Sequence, residues 1–226
     1  MKSFDFYKNG LKYPESYRLE IFTESSSMIF KIFNQENSNY NAITIRFDRD
    51  YEYLNTIFAG ICLLEIEEII IPLMGKYLLI GKEAKNKIEG NLTIYLKDYR
   101  EFYPYEQHNP KYYPITKEPN HSENLAIINY NIEKALIFFN YFDKKINLYD
   151  ALKDIEFSNL HKFISPICCH HRYAVLLYLL GKDWASYLKE INLIYEKVYT
   201  ENNDEYTSRF LKLGLEFEDI LNKRSN

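Results

Sequence analysis

Cys168-Cys169-His170-His171 is the densest run of chemically versatile side chains in this sequence. Thiolate and imidazole are both zinc ligands, and a cysteine beside a histidine is the pairing that generates a thiolate nucleophile. Spacing decides between these uses. Zinc needs donors that converge tetrahedrally, whereas consecutive helical residues point about 100° apart. On a helix only Cys168 and His171 share a face, because the residue four on from Cys168 is Arg172. His161 lies upstream beyond Pro166, and the Cys-x-x-Cys and His-x-x-x-His spacings of metal sites are missing. The run therefore reads as buried thiols beside polar ring contacts, with no catalytic residue, no metal ligand and no cofactor expected. A Cys/His-dependent enzyme or metal-binding protein centred on Cys169, His170 and His171 is the alternative.

Other sources of chemistry are sparse. The sequence has no Gly-x-Gly-x-x-Gly, P-loop, Gly-x-Ser-x-Gly, His-Glu-x-x-His or EF-hand pattern. Its seven glycines leave little material for phosphate-cradling loops. The carboxylate groups Glu65/Glu67/Glu68 and Glu216/Glu218/Asp219 could serve acid–base work, but charge runs of this kind are ordinarily solvated helix faces. No small-molecule substrate is expected.

Binding residues are more plentiful. With 22 tyrosines and 15 phenylalanines against one tryptophan, the chain is rich in apolar rings that carry a polar tip. AT-rich codon usage accounts for most of that excess, since Lys far outnumbers Arg and Ile and Asn are also abundant. One segment stands apart. Residues 99–120 hold Tyr103, Tyr105, Tyr112 and Tyr113 among Pro104, Pro110, Pro114 and Pro119, and the prolines forbid a regular element. A long aromatic loop of this kind is expected to pack across a surface, and its tyrosines are the type enriched at interface hot spots. A second candidate contact is acidic. Between Asp183 and Asp219 acidic residues outnumber basic ones, with Glu216, Glu218 and Asp219 as a cluster suited to a cationic partner.

Bulk properties bound the rest. At 226 residues, 46% apolar and 27% charged, the chain is an ordinary globular one. A net charge of −4 argues against a nucleic-acid partner, although an aromatic-rich nucleic-acid-binding module remains a further alternative. Three cysteines are too few and too clustered for a disulfide framework, which suggests a reducing compartment. No apolar run reaches the roughly 20 residues of a membrane span. The N-terminal residues lack a signal-peptide core, so a cytoplasmic protein without membrane contact is expected.

Periodicity predicts an α+β fold, with a β-rich N-terminal half (an antiparallel sheet with one helix) and an all-helical C-terminal half of antiparallel helices. Strands are expected at Tyr17–Thr23, Met28–Phe33 and Ala42–Phe47, the last with Ile43, Ile45 and Phe47 on one face. Leu54, Ile57, Phe58 and Ile61 fit a helix over about 51–66, and 69–80 reads as a strand interrupted by Pro72 and Gly75. A short strand at Leu92–Leu96 closes this half. Past 120 the period is 3.6, beginning with a capping-box-like Asn120/Glu123. Helices are expected through Phe142, near Leu148–Glu156, at Asn159–Ile164, from Ser165-Pro166 to Gly181, from Asp183 onward, and from Asp204 to Asn222. The organisation expected is a β-rich region over 1–98, a Tyr/Pro-rich connecting loop over 99–120 and a helical region over 121–226, possible parts of one integrated domain.

Around Ser165–Ile191 (SPICCHHRYAVLLYLLGKDWASYLKEI) the chain resembles the helical segment of small bacterial immunity proteins, the antidotes to contact-dependent or polymorphic toxins. Ser165-Pro166, His171-Arg172-Tyr173, Leu179-Leu180-Gly181 and Trp184 carry the resemblance. It implies a stoichiometric inhibitor whose partner is a cognate toxin domain, and it transfers no functional residue.

Overall fold

The computed structural model describes residues 2–24, 27–36, 39–48, 54–81, 93–95 and 121–225. The elements are α1 (Lys2–Gly10), β1 (Arg18–Thr23), β2 (Ser27–Glu36), β3 (Asn39–Asp48), β4 (Leu54–Leu63), α2 (Leu64–Lys76), β5 (Ile94–Tyr95) and α3 (His121–Phe142). They are followed by α4 (Lys145–Leu152), a 3-10 helix (Phe157–Lys162), α5 (Cys169–Leu179), α6 (Trp184–Asn202) and α7 (Glu205–Ser225). The protein is α+β: a five-stranded antiparallel sheet in the order β1-β2-β3-β4-β5 in the N-terminal half, and helices in the C-terminal half. Among the described residues no helix is long and apolar enough to cross a membrane. The chain divides into two compact units, Met1–Ile61 with Tyr95–Asp143 and Cys62–Ile94 with Lys144–Asn226.

The first unit is built on the alternation of β2 and β3. Phe30 faces Ile45 and Ile32 faces Ile43 across the ladder. All four are wholly buried, and so is Phe47. Tyr7 of α1 packs on Phe47 with ring centroids 4.6 Å apart, and Tyr17 stacks on Phe139 of α3 at 6.4 Å. Helix α3 also fastens the end of α1. Asn129 Nδ2 donates to the Gly10 carbonyl at 3.0 Å, while its Oδ1 accepts from Lys12 N at 2.8 Å. The end groups that a helix leaves unpaired are thereby satisfied by one amide.

The second unit surrounds α5, which is buried from Cys169 to Leu177 except for half-buried His170. Helix α5 ends in a Schellman turn with Gly181 at φ +63°, where Lys182 N donates to Leu177 O and Gly181 N to Tyr178 O. Asp183 then caps α6 by accepting from Ser186 N at 3.1 Å. Asp204 caps α7, accepting from Thr207 N at 2.8 Å.

Several expected elements differ. The 51–66 segment is not a helix: residues 54–63 are β4, and α2 starts at Leu64. Residues 69–80 are not a strand either; they contain most of α2, with Pro72 inside the helix and exposed. Helix α5 does not begin at Ser165-Pro166. It begins at Cys169, because Cys168 sits at φ +59° and the backbone before it is turned toward Arg172. Helix α1 has no counterpart in the sequence reading. Asn120 and the whole 99–120 segment lie outside the described residues.

Candidate functional site

The Cys-Cys-His-His run is anchored by the residue that follows it. Arg172 is buried and grips Glu67 of α2 with two parallel hydrogen bonds, Nε to Oε1 at 2.7 Å and Nη2 to Oε2 at 2.8 Å. Thr93 Oγ1 donates to Glu67 Oε1 at 2.8 Å and accepts from Leu63 N at 2.9 Å. The remaining Arg172 nitrogen donates to the Ile167 carbonyl and, at 3.5 Å, to the Ser165 carbonyl. Ser165 N in turn donates to the Thr93 carbonyl at 2.9 Å. A buried ion pair is tolerable only when its spare donors and lone pairs are filled, and here they are. In the sequence the one sign of this pairing is that Glu67 stands among apolar residues, Leu63, Leu64, Ile66, Ile70 and Ile71.

With Arg172 fixed, its four predecessors are fixed too. Burial pushes the Cys168 thiol up to about 12 and the Cys169 thiol up to about 11, which keeps both protonated near neutrality. His170 lies flat on Phe157, ring centroids 3.7 Å apart, with Nδ1 2.8 Å from the Tyr187 hydroxyl. Burial lowers its pKa to about 4. His171 is wholly buried in other company. It stacks on Tyr195 at 5.9 Å and meets the edge of Phe217 at 5.8 Å, and neither ring nitrogen has a hydrogen-bond partner. Its pKa falls to about 3, through burial first and then the neighbouring His170 and Arg172. Close packing explains the orphaned nitrogens. A Cβ on Gly214 of α7 would collide with Asn192 Oδ1, which is also unpartnered, and would lie 3.4 Å from His171 Nε2.

The two histidines thus have different neighbours and do not converge with the thiols. Among the described residues no group of three or more His, Cys, Asp or Glu is placed to hold a metal ion. What the arrangement does chemically is hold α5 in one register against its neighbours.

The acidic candidates divide. Glu216 is engaged by Lys76 and by the Tyr77 hydroxyl at the end of α2, and these bonds hold its carboxyl below the usual carboxylate range. Glu218 is half-buried and Asp219 is exposed. Tyr103, Tyr105, Tyr112 and Tyr113 lie outside the described residues.

Two surface features were not foreseen. An open cleft of about 690 Å³ runs along α3, lined by Lys12, Tyr13, Pro14, Tyr130, Glu133 and Leu136. The other is on α6. Leu188 and Ile191 face inward, while Leu193 and Ile194 are exposed between Glu190 and Glu201. Around them are exposed Glu196 and Lys197, the latter 4.0 Å from Glu201. The signal was available: the inward stripe Trp184, Leu188, Ile191, Tyr195, Val198 leaves Leu193 and Ile194 outside it. Comparison of the chain with protein-family models, with characterised proteins and with solved structures finds no match.

Proposed function

We propose that this chain is an immunity protein, which neutralises a cognate bacterial toxin in the cytoplasm by binding the toxin domain one-to-one. The observation that carries this reading is the exposed aliphatic pair Leu193 and Ile194 on α6. Leu193, 56% exposed, lies among charged and polar groups of α6, and Ile194, 38% exposed, sits beside it at the border of the inward stripe. Adjacent exposed aliphatic side chains within a charged rim match the anatomy of a protein interface, with an apolar centre and a polar border. Acidic groups exposed on α6 (Glu190, Glu196), at the cap of α7 (Asp204) and on α7 (Asp219) would steer a cationic partner toward it. The resemblance at Ser165–Ile191 names the kind of partner. The tyrosines at 103, 105, 112 and 113 are candidates for a second contact.

Calorimetry against the co-expressed toxin domain tests the reading. Leu193→Ala with Ile194→Ala is expected to weaken a 1:1 complex by more than ~2 kcal/mol, the scale of an interface hot spot. Unchanged affinity in that variant removes α6 from the interface. Failure of the wild-type chain to bind the toxin-like product of a neighbouring gene removes the reading itself.

A further inference from the structure

β1 is the first strand of the sheet and, among the described residues, pairs with β2 alone. Which of its backbone groups are free follows from the hairpin. Glu24 N donates to Ser27 O at 2.8 Å, which makes Glu24 and Ser27 a hydrogen-bonded pair. Bonded and non-bonded pairs alternate along an antiparallel ladder. Phe22, Glu20 and Arg18 therefore turn their N–H and C=O groups toward β2, and Thr23, Ile21 and Leu19 turn theirs outward. Side chains alternate in step. Ile21 lies opposite Phe30 and Leu19 opposite Ile32, so the outward-bonding residues are also those on the core face. Even so, Ile21 is 42% exposed, and Phe22 on the other face is 45% exposed. Among the described residues this is an open edge with apolar groups on both sides, the kind that proteins ordinarily shield or pair.

We infer that β1 pairs edge to edge with β1 of a second copy of this chain, antiparallel about a two-fold axis at Ile21. Charge selects both the occupant and the register. Outward-facing backbone groups meet in any two-fold register centred on a residue of the strand, and centres at 20, 21 and 22 are those that pair five or more of residues 18–24. Centring on 20 sets Glu20 against itself, and centring on 22 sets Glu20 against Glu24 of the partner subunit. Like charges directly opposite each other destabilise a strand pair. Centring on Ile21 instead sets Arg18 opposite Glu24 of the partner subunit, Glu20 opposite the partner's Phe22 and Leu19 opposite the partner's Thr23. Ile21 then meets the partner's Ile21 on the core face. Arg18 has no ion-pair partner among the described residues, and Glu24 is held on one side by Arg46 at 3.0 Å with both side chains well exposed. The pairing is isologous and closes on itself, giving a dimer and no further growth. It rests on β1 alone and is independent of the toxin-binding reading.

Sedimentation equilibrium of the full chain, with cross-linking by a short thiol reagent, tests this. The natural cysteines are all buried, so introduced thiols report alone. A reversible dimer is expected. Ile21→Cys should cross-link to itself and Leu19→Cys should not, while Leu19→Cys co-expressed with Thr23→Cys should yield the mixed dimer. Ile21→Pro deletes an outward N–H and leaves the β1–β2 ladder intact, so it should abolish the dimer without altering circular dichroism. A chain that stays monomeric at every concentration overturns the inference. So does a dimer that survives Ile21→Pro, a cross-linking pattern of another register, or open-ended assembly. If Ile21→Pro does not fold, the cross-linking pattern decides.

Discussion

His170 and His171 adjoin in sequence and have different roles, because consecutive positions of α5 face different neighbours. His170 finds a hydroxyl and a stacking ring; His171 finds only apolar contact. Both are held neutral in the folded chain, at about 4 and about 3 against an ordinary 6.5. Between those values the unfolded chain binds more protons than the folded one, so stability rises with pH across that window. The contribution is complete above about pH 6.5 and is lost as pH falls toward 3. Urea midpoints measured from pH 7 down to 4 should therefore drop steadily. His171→Leu should flatten that slope between about pH 6.5 and 5, the remainder there belonging to His170, while carboxylates held low such as Glu216 add to the fall near pH 4. An unchanged slope would show that His171 is solvated. At this scale the sequence was partly legible. That four adjacent donors cannot converge follows from helix geometry alone. That Arg172 grips Glu67, more than a hundred residues away, does not, because nothing local encodes it.

The ends of α2 and α5 are the same device made with different residues. In each a 6→1 and a 5→2 hydrogen bond close a Schellman turn: Leu79 N to Met74 O with Leu78 N to Gly75 O, and Lys182 N to Leu177 O with Gly181 N to Tyr178 O. The left-handed position is Gly181 in one and Leu78, at φ +57°, in the other. A side chain there costs about 1–2 kcal/mol, because Cβ crowds the following carbonyl. Leu78 is 65% exposed, so little packing offsets that cost. Leu78→Gly should raise stability by about 1 kcal/mol in chemical denaturation. A loss would mean that the leucine side chain packs in solution. The contrast also explains what could be read from sequence. Gly181 announces its turn and Asp183 its cap, whereas a leucine announces nothing. The same limit hid β4 and α2. Leu54, Ile57, Phe58 and Ile61 fit a helical period, but Ala59, Gly60, Ile61, Cys62 and Leu63 are all buried, and a strand covered on both faces has no period of its own. In α2, Ile69, Ile70 and Ile71 are consecutive and buried, so the amphipathic signal is absent and Pro72 suggests a break that does not occur.

Each compact unit is assembled from two stretches of chain, and side-chain hydrogen bonds join the stretches within each. In the first unit Tyr7 lies 2.9 Å from His121 Nδ1, Gly10 is held by Asn129, and Asn39 donates to Asp143 at 3.1 Å. In the second, Glu67 and Thr93 come from one stretch and Arg172 and Ser165 from the other. The character of the joints differs. Those of the first unit are neutral or partly exposed, so losing one costs about the 0.5–1.5 kcal/mol net of an ordinary hydrogen bond. The second depends on a desolvated charge pair. Removing one partner strands the other charge without water, at a cost of about 3–5 kcal/mol. Arg172→Ala should therefore lower stability on that scale, and the loss should be localised. In native-state hydrogen exchange, amides of α2 and α5 are expected to lose protection in this variant, while β2 and β3, whose core is Phe30, Ile32, Ile43 and Ile45, retain theirs. Tyr7→Phe, which removes only a hydroxyl, is the matched control and should leave α2 and α5 as protected as before. If Arg172→Ala releases β2 and β3 to the same degree, the two units open as one cooperative body, and the ion pair supports the whole chain rather than the helices around it.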